Sequence, residues 1–391
     1  MNLLFFNPYI TYPTGGGVER VISEMYRFLT DSGHRIVTAY YRDTDNVCNP
    51  IPDQVRLPED SGDSDANRRE LRKLIEQEKF DLAINFGAMY GTGSRAFVEA
   101  AAETGLKVIS VYHNTLDWVL WDHPRVRPLM MRKFLRVPLR MLLGMVQKLP
   151  GRHNAHFTSR HSEACVLLGE CYFSQFRRLI DRNTKRLRAI HNPLSLDAGT
   201  SGFEQLSREK ENVVLFVGRL TAQKNLQDLL HAWKEAGKDG WRLEIVGDGP
   251  EKGTLMSLAA KLGISDSVSF EGHRNNPEDY YRRARVFAMT SIFEGYPMTL
   301  IECQAFGCVP VITDSYPAAS EIVDNGRNGL LSKPEKFATA LKNLLADDES
   351  MDRMAHEAMR EARKYSVPEI AAQWNGLIEE ICGKGSHSEN R

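Results

Sequence analysis

Two stretches of this chain gather cations, carboxylates and glycines at spacings suited to a phosphorylated ligand. In Gly218-Arg219-Leu220-Thr221-Ala222-Gln223-Lys224-Asn225 a guanidinium and an ammonium stand five positions apart, directly after an apolar run. Both can reach one diphosphate. Two fixed cations there would stabilise the charge growing on a departing nucleoside diphosphate without a metal ion; a solvated basic turn is the plainer alternative. The second stretch is Phe293-Glu294-Gly295-Tyr296-Pro297-Met298-Thr299-Leu300-Ile301-Glu302. Pro297 suits the first position of a helix, so the amides of Met298 and Thr299 would project from its N-terminus toward phosphate oxygens or a donor sugar. Glu294 precedes that terminus, and Glu302 falls in the second turn, where a carboxylate can accept hydrogen bonds from both hydroxyls of a ribose. Taken singly, Glu294 could be an N-terminal helix charge and Glu302 a solvated helix residue.

Glycine loops are weaker signals. Thr14-Gly15-Gly16-Gly17-Val18-Glu19-Arg20 follows the first apolar run and could bring bare backbone against a diphosphate or an acceptor, or serve only as a flexible turn. Val246-Gly247-Asp248-Gly249-Pro250-Glu251 resembles a nucleotide loop, although turn geometry is the commoner task of such glycines. Neither has the G-x-G-x-x-G spacing, with an acidic residue about twenty positions on, that a nicotinamide oxidoreductase would need. No convincing Asp-x-Asp metal site stands at a strand end, and no Ser/His/Asp arrangement has supporting spacing.

The elements that must hold these residues alternate between strand-like and helical patterns, the mark of doubly wound parallel α/β sheets. One series runs through strands at 3–7, 35–41, 81–86 and 107–113. Its first helix has Val18, Val21, Ile22, Met25, Phe28 and Leu29 on one face and stops at Gly33, and another helix lies near 67–78. The span 151–193 completes this lobe. A second series has strands at 212–218, 241–247, 268–271, 285–290 and 308–313. In such sheets ligands bind beyond the carboxyl ends of the strands, where both charged stretches fall. Ile370, Trp374, Leu377, Ile378 and Ile381 give a final helix an apolar stripe to bury.

With 391 residues the chain is long enough for two cores, and 42% hydrophobic against 26% charged residues is ordinary globular composition. The net charge is -1, yet residues 1–195 hold 27 Lys/Arg against 21 Asp/Glu and the remainder 23 against 30. The halves are thus +6 and -7. That asymmetry points the first lobe at an anionic partner, while the balanced total argues against a dedicated nucleic-acid binder. No apolar run is long enough to span a bilayer and the start lacks a secretory signal pattern, so a cytoplasmic location is expected. The six cysteines (Cys48, Cys165, Cys171, Cys303, Cys308 and Cys382) form no C-x-x-C pair and are expected reduced and mostly buried.

Taken together, Gly218-Arg219-Leu220 with Lys224-Asn225, Val246-Gly247-Asp248-Gly249-Pro250, and Glu294 separated from Glu302 by seven intervening residues resemble the family-4 retaining glycosyltransferases of the GT-B fold, of bacterial surface-polysaccharide type. The resemblance covers nearly the whole chain and is most specific in its second half. It implies two Rossmann-like doubly wound domains facing a cleft: an acceptor-side domain at 1–193, with Asn192-Pro193 marking the boundary rather than a contact, and a sugar-nucleotide domain at 194–366. A helix at 367–383 would cross back to the first domain, ahead of a disordered tail at 384–391. It implies that Arg219 and Lys224 bind the donor diphosphate, Glu302 the ribose and Glu294 the transferred sugar. Gly16 and Gly17 would line the cleft opposite, and Gly218, Gly295, Met298 and Thr299 would complete the donor site. His113, in Ser110-Val111-Tyr112-His113-Asn114, would face the donor sugar as a neutral imidazole; a structural strand cap is the alternative. Retention implies front-face substitution, in which the leaving phosphate oxygen helps take the acceptor's proton. No nucleophile, metal or cofactor is then expected, and the donor is expected to be a UDP-hexose or UDP-N-acetylhexosamine.

The acceptor is expected to be a glycan or a polyprenyl- or other lipid-linked glycan. Residues 125–152 carry Arg125, Arg127, Arg132, Lys133, Arg136, Arg140, Lys148 and Arg152 without one acidic residue, interleaved with leucine, methionine and phenylalanine. Such a segment can lie peripherally on an anionic membrane surface, or form core helices with a basic face. Arg177, Arg178, Arg182, Lys185, Arg186 and Arg188 add to the same positive lobe. A non-catalytic sugar-nucleotide-binding relative, acting as an assembly partner, is the competing function.

Overall fold

The computed structural model describes residues 1–13, 17–44, 47–88, 93–113, 150–194, 196, 203–237, 239–274 and 276–383. Its strands form two sheets, each wholly parallel. The first has seven strands in the order β3-β2-β1-β4-β5-β6-β7. These are β1 (Asn2–Phe6), β2 (Arg35–Tyr40), β3 (Gln54–Arg56), β4 (Leu82–Asn85), β5 (Val108–Tyr112), β6 (Ala164–Leu167) and β7 (Leu187–Ala189). The second has six in the order β10-β9-β8-β11-β12-β13. They are β8 (Glu211–Val217), β9 (Arg242–Val246), β10 (Val268–Gly272), β11 (Ala284–Met289), β12 (Val309–Thr313) and β13 (Leu330–Ser332).

Strand β1 shows why these runs read as uninterrupted apolar sequence. Successive side chains leave a strand on opposite faces, and a parallel sheet is covered on both. Leu3 and Phe5 enter one core with Val21, Ile22, Met25, Phe28 and Leu29 of the helix Gly17–Asp31. Leu4 and Phe6 enter the other, with Leu71 and Ile75 of Asp65–Glu78 and Phe97 of Gly93–Thr104. The first helix stops where Gly33 takes φ +85°, a left-handed conformation that costs glycine little. The second begins at Asp65, two residues before the expected start, because Ser64 caps it by accepting a hydrogen bond from the Asn67 amide.

The chain divides into two compact units, Leu194–Ser366 and the remainder, Met1–Pro193 with the residues from Val367 onward. The final helix, Val367–Gly383, belongs to the first of these in sequence. Its Ile370, Trp374, Leu377, Ile378 and Ile381 are buried in the core that holds Leu3 and Phe5. Lys107 Nζ donates to the Ile381 carbonyl at 2.8 Å and Arg188 pairs with Glu380 at 3.0 Å, so the helix is also fastened by polar contacts.

The other strands stand within a residue or two of where periodicity sets them; β3, β6, β7 and β13 were not anticipated, and in β3, β7 and β13 three residues hold too little of a period to register. The expectation of mostly buried thiols needs correction. Cys165, Cys303 and Cys308 are buried, Cys171 and Cys382 are half-buried and Cys48 is exposed.

Trp374 is 2% exposed and sits at the centre of the final helix's buried stripe. Trp374→Ala is expected to remove about 3–5 kcal/mol from the unit containing β1–β7, seen in urea denaturation as an earlier transition for that unit. An unchanged midpoint would show that the helix adds nothing to the core.

Candidate active site

Sheet order reverses direction between β8 and β11, so the connections that follow these neighbouring strands diverge and leave a crevice at their carboxyl ends. After β8, the backbone from Gly218 to Leu220 is laid directly on the backbone after β9. Gly218 N–H donates to the Val246 carbonyl at 3.0 Å, Leu220 N–H to Asp248 at 2.8 Å, and Glu251 N–H to Leu220 at 3.0 Å. The two loops are so close that a Cβ on Gly247 would lie 1.9 Å from the Gly218 carbonyl oxygen, and one on Gly249 would lie 2.5 Å from that of Leu220. Gly247 also has φ +143°. Its glycine is therefore fixed by close backbone approach, a narrower reason than a turn.

The loop after β11 fastens the other side. Ile292 N–H donates to the Gln223 carbonyl at 2.9 Å, and Gln223 Nε2 to the Phe293 carbonyl at 2.9 Å. Asn225, in the left-handed region at φ 52°, precedes the helix Leu226–Ala236, and Thr290 Oγ1 donates to its carbonyl at 2.9 Å. These ties bring Lys224 Nζ to 2.6 Å from Glu294 Oε1, with the two side chains only 16% and 8% exposed. Gln223 Nε2 approaches the other carboxylate oxygen at 3.4 Å. Lys224 and Glu294 thus form an enclosed ion pair, whereas Arg219, on the same loop, is exposed.

Pro297 occupies the N-cap of the helix Met298–Ala305, with ψ 111°, rather than its first turn. The correction moves the helix start by one residue: Met298 and Thr299 become its first two positions, with no side chain capping that end. Both are half-buried. Gly295 and Tyr296 link them to Glu294, and Tyr296 is held by a 2.9 Å hydrogen bond to the Tyr365 hydroxyl. Glu302 is only 1% exposed, which excludes a solvated helix residue. Its Oε2 accepts a hydrogen bond from the Tyr281 hydroxyl at 2.9 Å. Sequence reading missed Tyr281 because a tyrosine in Glu278-Asp279-Tyr280-Tyr281 has no spacing that ties it to a carboxylate 21 residues away.

The first sheet presents a different chemistry. His113 follows β5 and is 8% exposed, with its ring stacked on Phe86 at 5.7 Å and 26°. Burial pushes its pKa from 6.5 down to about 4, opposed by the nearby Asn192 side chain, and the ring is neutral at pH 7. Neither ring nitrogen has a well-formed hydrogen bond among the described residues. Asn192 is thus a neighbour of this histidine as well as a boundary residue. Gly17 opens the first helix in an exposed position where an added Cβ would meet nothing within 4 Å, so packing does not require glycine there. Gly16, with Thr14 and Gly15, lies outside the described residues, as do Asn114, positions 125–149 of the basic segment, and the tail 384–391. Among the described residues, no three His, Cys, Asp or Glu side chains gather as metal ligands, and no helix is long and apolar enough to cross a membrane.

Two family models match the chain: Glycosyltransferase Family 4 over residues 15–149, and Glycosyl transferases group 1 over residues 199–364. The chain belongs to the family-4 glycosyltransferases. It is 34% identical over 188 residues to the amylovoran biosynthesis glycosyltransferase AmsD of Erwinia amylovora, a match covering 48% of this chain and 54% of that one. It is 30% identical over 191 residues to a Campylobacter jejuni protein named N-acetylgalactosamine-N,N'-diacetylbacillosaminyl-diphospho-undecaprenol 4-alpha-N-acetylgalactosaminyltransferase, covering 48% and 52%. The chain thus spans about half the length of the curated relatives it matches. Among solved structures, HepE of Anabaena in complex with UDP aligns with a TM-score of 0.73 at 16% identity, over 97% of this chain and 100% of that one. That likeness shows the fold, a GT-B pair of parallel Rossmann-like domains, for this family-4 glycosyltransferase.

Two outcomes follow from this geometry. Gly247→Ala in the glycosyltransferase should cost at least about 2 kcal/mol, because backbone rather than a pliant side chain obstructs the new methyl; a thermal melt matching the parent would contradict the close approach. For His113, the folded protein holds the proton less tightly than the unfolded chain does. Its contribution is intact above pH 6.5 and is lost as the pH falls toward 4, by about 3 kcal/mol. Urea midpoints of parent and His113→Gln measured at pH 7 and pH 4.5 should diverge, the parent losing more stability on acidification.

Proposed function

We propose that this family-4 glycosyltransferase moves a hexose or N-acetylhexosamine from a UDP-linked donor to a glycan or lipid-linked acceptor, with retention of configuration and without a metal ion, during cell-surface polysaccharide assembly. The observation that carries the reading is the Lys224–Glu294 pair held at the β8/β11 crevice, next to exposed Arg219 and the uncapped start of Met298–Ala305. A cation pair and free amides suit a diphosphate, while Glu294 suits hydroxyls of the sugar attached to it. Glu302, eight residues further on, suits the ribose. The relatives' names add support, since they describe polysaccharide biosynthesis and an α-linked transfer onto a diphospho-undecaprenol carrier.

In this mechanism the bond from the anomeric carbon to the donor phosphate oxygen breaks, and its electron pair leaves with the nucleoside diphosphate. Lys224, Arg219 and the helix amides stabilise that charge. The acceptor hydroxyl bonds to the same face of the carbon and gives its proton to the departing phosphate oxygen. His113, neutral at pH 7, serves as a hydrogen-bonding partner for a sugar hydroxyl, not as a base. The acceptor's lipid carrier is assigned to an anionic membrane surface met by residues 125–152, a reading that rests on their sequence. The exposed Arg177, Arg178, Arg182, Lys185 and Arg186 extend that positive character. Peripheral attachment at the inner face of the cytoplasmic membrane follows from the same reading.

Turnover should be measured with a panel of UDP- and GDP-sugars and an undecaprenyl-diphosphate-linked glycan. Lys224→Met is expected to lower kcat/KM by about 100-fold or more, and excess chelator to leave the parent rate unchanged. Binding of nucleotide sugar without turnover by the parent would favour a non-catalytic assembly partner; dependence on divalent ions would overturn the metal-free mechanism.

A further inference from the structure

The residue before β8, Lys210, lies at the opposite end of that strand from Lys224 and is not explained by the donor site. Its Nζ donates to three backbone carbonyls: Tyr281 at 3.0 Å, Ala284 at 2.7 Å and Phe306 at 2.7 Å. Ala284 is the C-cap of the helix Glu278–Arg283, and Phe306 is the C-cap of Met298–Ala305. One ammonium therefore joins the carboxyl ends of two helices, where unpaired carbonyls and the negative end of the helix dipole favour a cation. The first of these helices carries Tyr281 and the second carries Glu302. Burial lowers the pKa of Lys210, so the site holds a charge at a cost that its three carbonyl partners must offset.

Tyr281 is 0% exposed and its ring is fixed on two sides, stacked on Phe306 at 5.8 Å and 17° and tilted against Phe287 at 6.4 Å. The Cys308 thiol donates to its carbonyl at 3.1 Å. A ring so held can place its hydroxyl in one direction, and that direction is Glu302 Oε2. Glu302 is itself 1% exposed, so its carboxylate is held in the same packed region as the ring that donates to it.

We propose that Tyr281 and Lys210 are positioning residues for Glu302, fixing its carboxylate to receive the ribose hydroxyls of a nucleoside diphosphate. This rests on the assignment of Glu302 to ribose made above. Tyr281 acts by direct hydrogen bond, and Lys210 acts through Tyr281 by locking the two helix ends together. Neither touches the ligand, so their loss should be felt only by ligands that have ribose hydroxyls to offer.

Isothermal titration of the full chain with uridine diphosphate and with 2′,3′-dideoxyuridine diphosphate tests this. The parent should bind uridine diphosphate more tightly than the dideoxy compound. Tyr281→Phe keeps the ring and its packing, and should weaken uridine diphosphate roughly tenfold while leaving the dideoxy compound unchanged. Lys210→Met should shift the same preference in the same direction by a smaller factor. Equal weakening of both nucleotides would mean a general loosening of the fold and would overturn the proposal. An undiminished preference in Tyr281→Phe would overturn it while leaving Glu302 on the ribose. Equal affinity of the parent for the two compounds would remove the ribose assignment itself, and the positioning role with it.

Discussion

The place of Lys224 depends on a contact that contains no side chain at all. The carbonyl oxygen of Gly218 fills the space where any residue at 247 other than glycine would begin. That approach lets the loops after β8 and β9 exchange backbone hydrogen bonds, so the chain leaving β8 is directed across the sheet edge instead of out into solvent. On the far side the loop after β11 repeats the device, with Gln223 bonded through both its backbone and its side chain. Lys224 is therefore held from two neighbouring strands, and its ammonium can rest on Glu294 without the freedom that a surface lysine keeps.

The two glutamates are held by opposite means, and the difference bears on what each can do. Glu294 is met by a full positive charge within an enclosed setting. Such pairs contribute little net stability, because desolvating both ions offsets most of their attraction. Their value is directional: an incoming diphosphate would meet a cation already aimed. Glu302 instead has a neutral phenol as its partner. A phenol donates a single hydrogen bond, whereas a carboxylate has lone pairs enough to accept several hydroxyl hydrogens. On the proposed assignments, exchanging these partners would spoil both tasks, since an ammonium on Glu302 would compete with ribose and a phenol beside Glu294 would offer a diphosphate no charge.

Much of this was legible in the sequence, for identifiable reasons. Strands such as β1 and β8 are buried on both faces from Leu3 and from Val213 onward and are apolar at each of those positions, so they stand out from a polar background. Arg219, Lys224, Glu294 and Glu302 could be located because strand ends fix where chemistry collects in a parallel sheet. What escaped was whatever depended on packing between distant segments. The Lys224–Glu294 pair joins residues 70 positions apart, and Lys210 reaches carbonyls as far as 96 positions away. Backbone carbonyls carry no sequence signature, so an inward-turned lysine looks like any surface lysine. Pro297 was misplaced by one residue for a similar reason: proline fixes φ but leaves ψ open, and its ψ of 111° puts it outside the helix it introduces.

The carboxyl edges of the two sheets are built alike and charged differently. Each sheet reverses direction once, at β1/β4 and at β8/β11, and each offers loops and helix starts beside that reversal. At the second reversal the enclosed cation faces a carboxylate at 2.6 Å. Near the first, the titratable group is His113, enclosed against an aromatic face, and burial holds it neutral. A neutral ring can both donate and accept, which matches a sugar hydroxyl and offers little to a phosphate. On the proposed assignments, diphosphate and sugar would thus be told apart by whether the enclosed basic group faces a carboxylate or an aromatic ring.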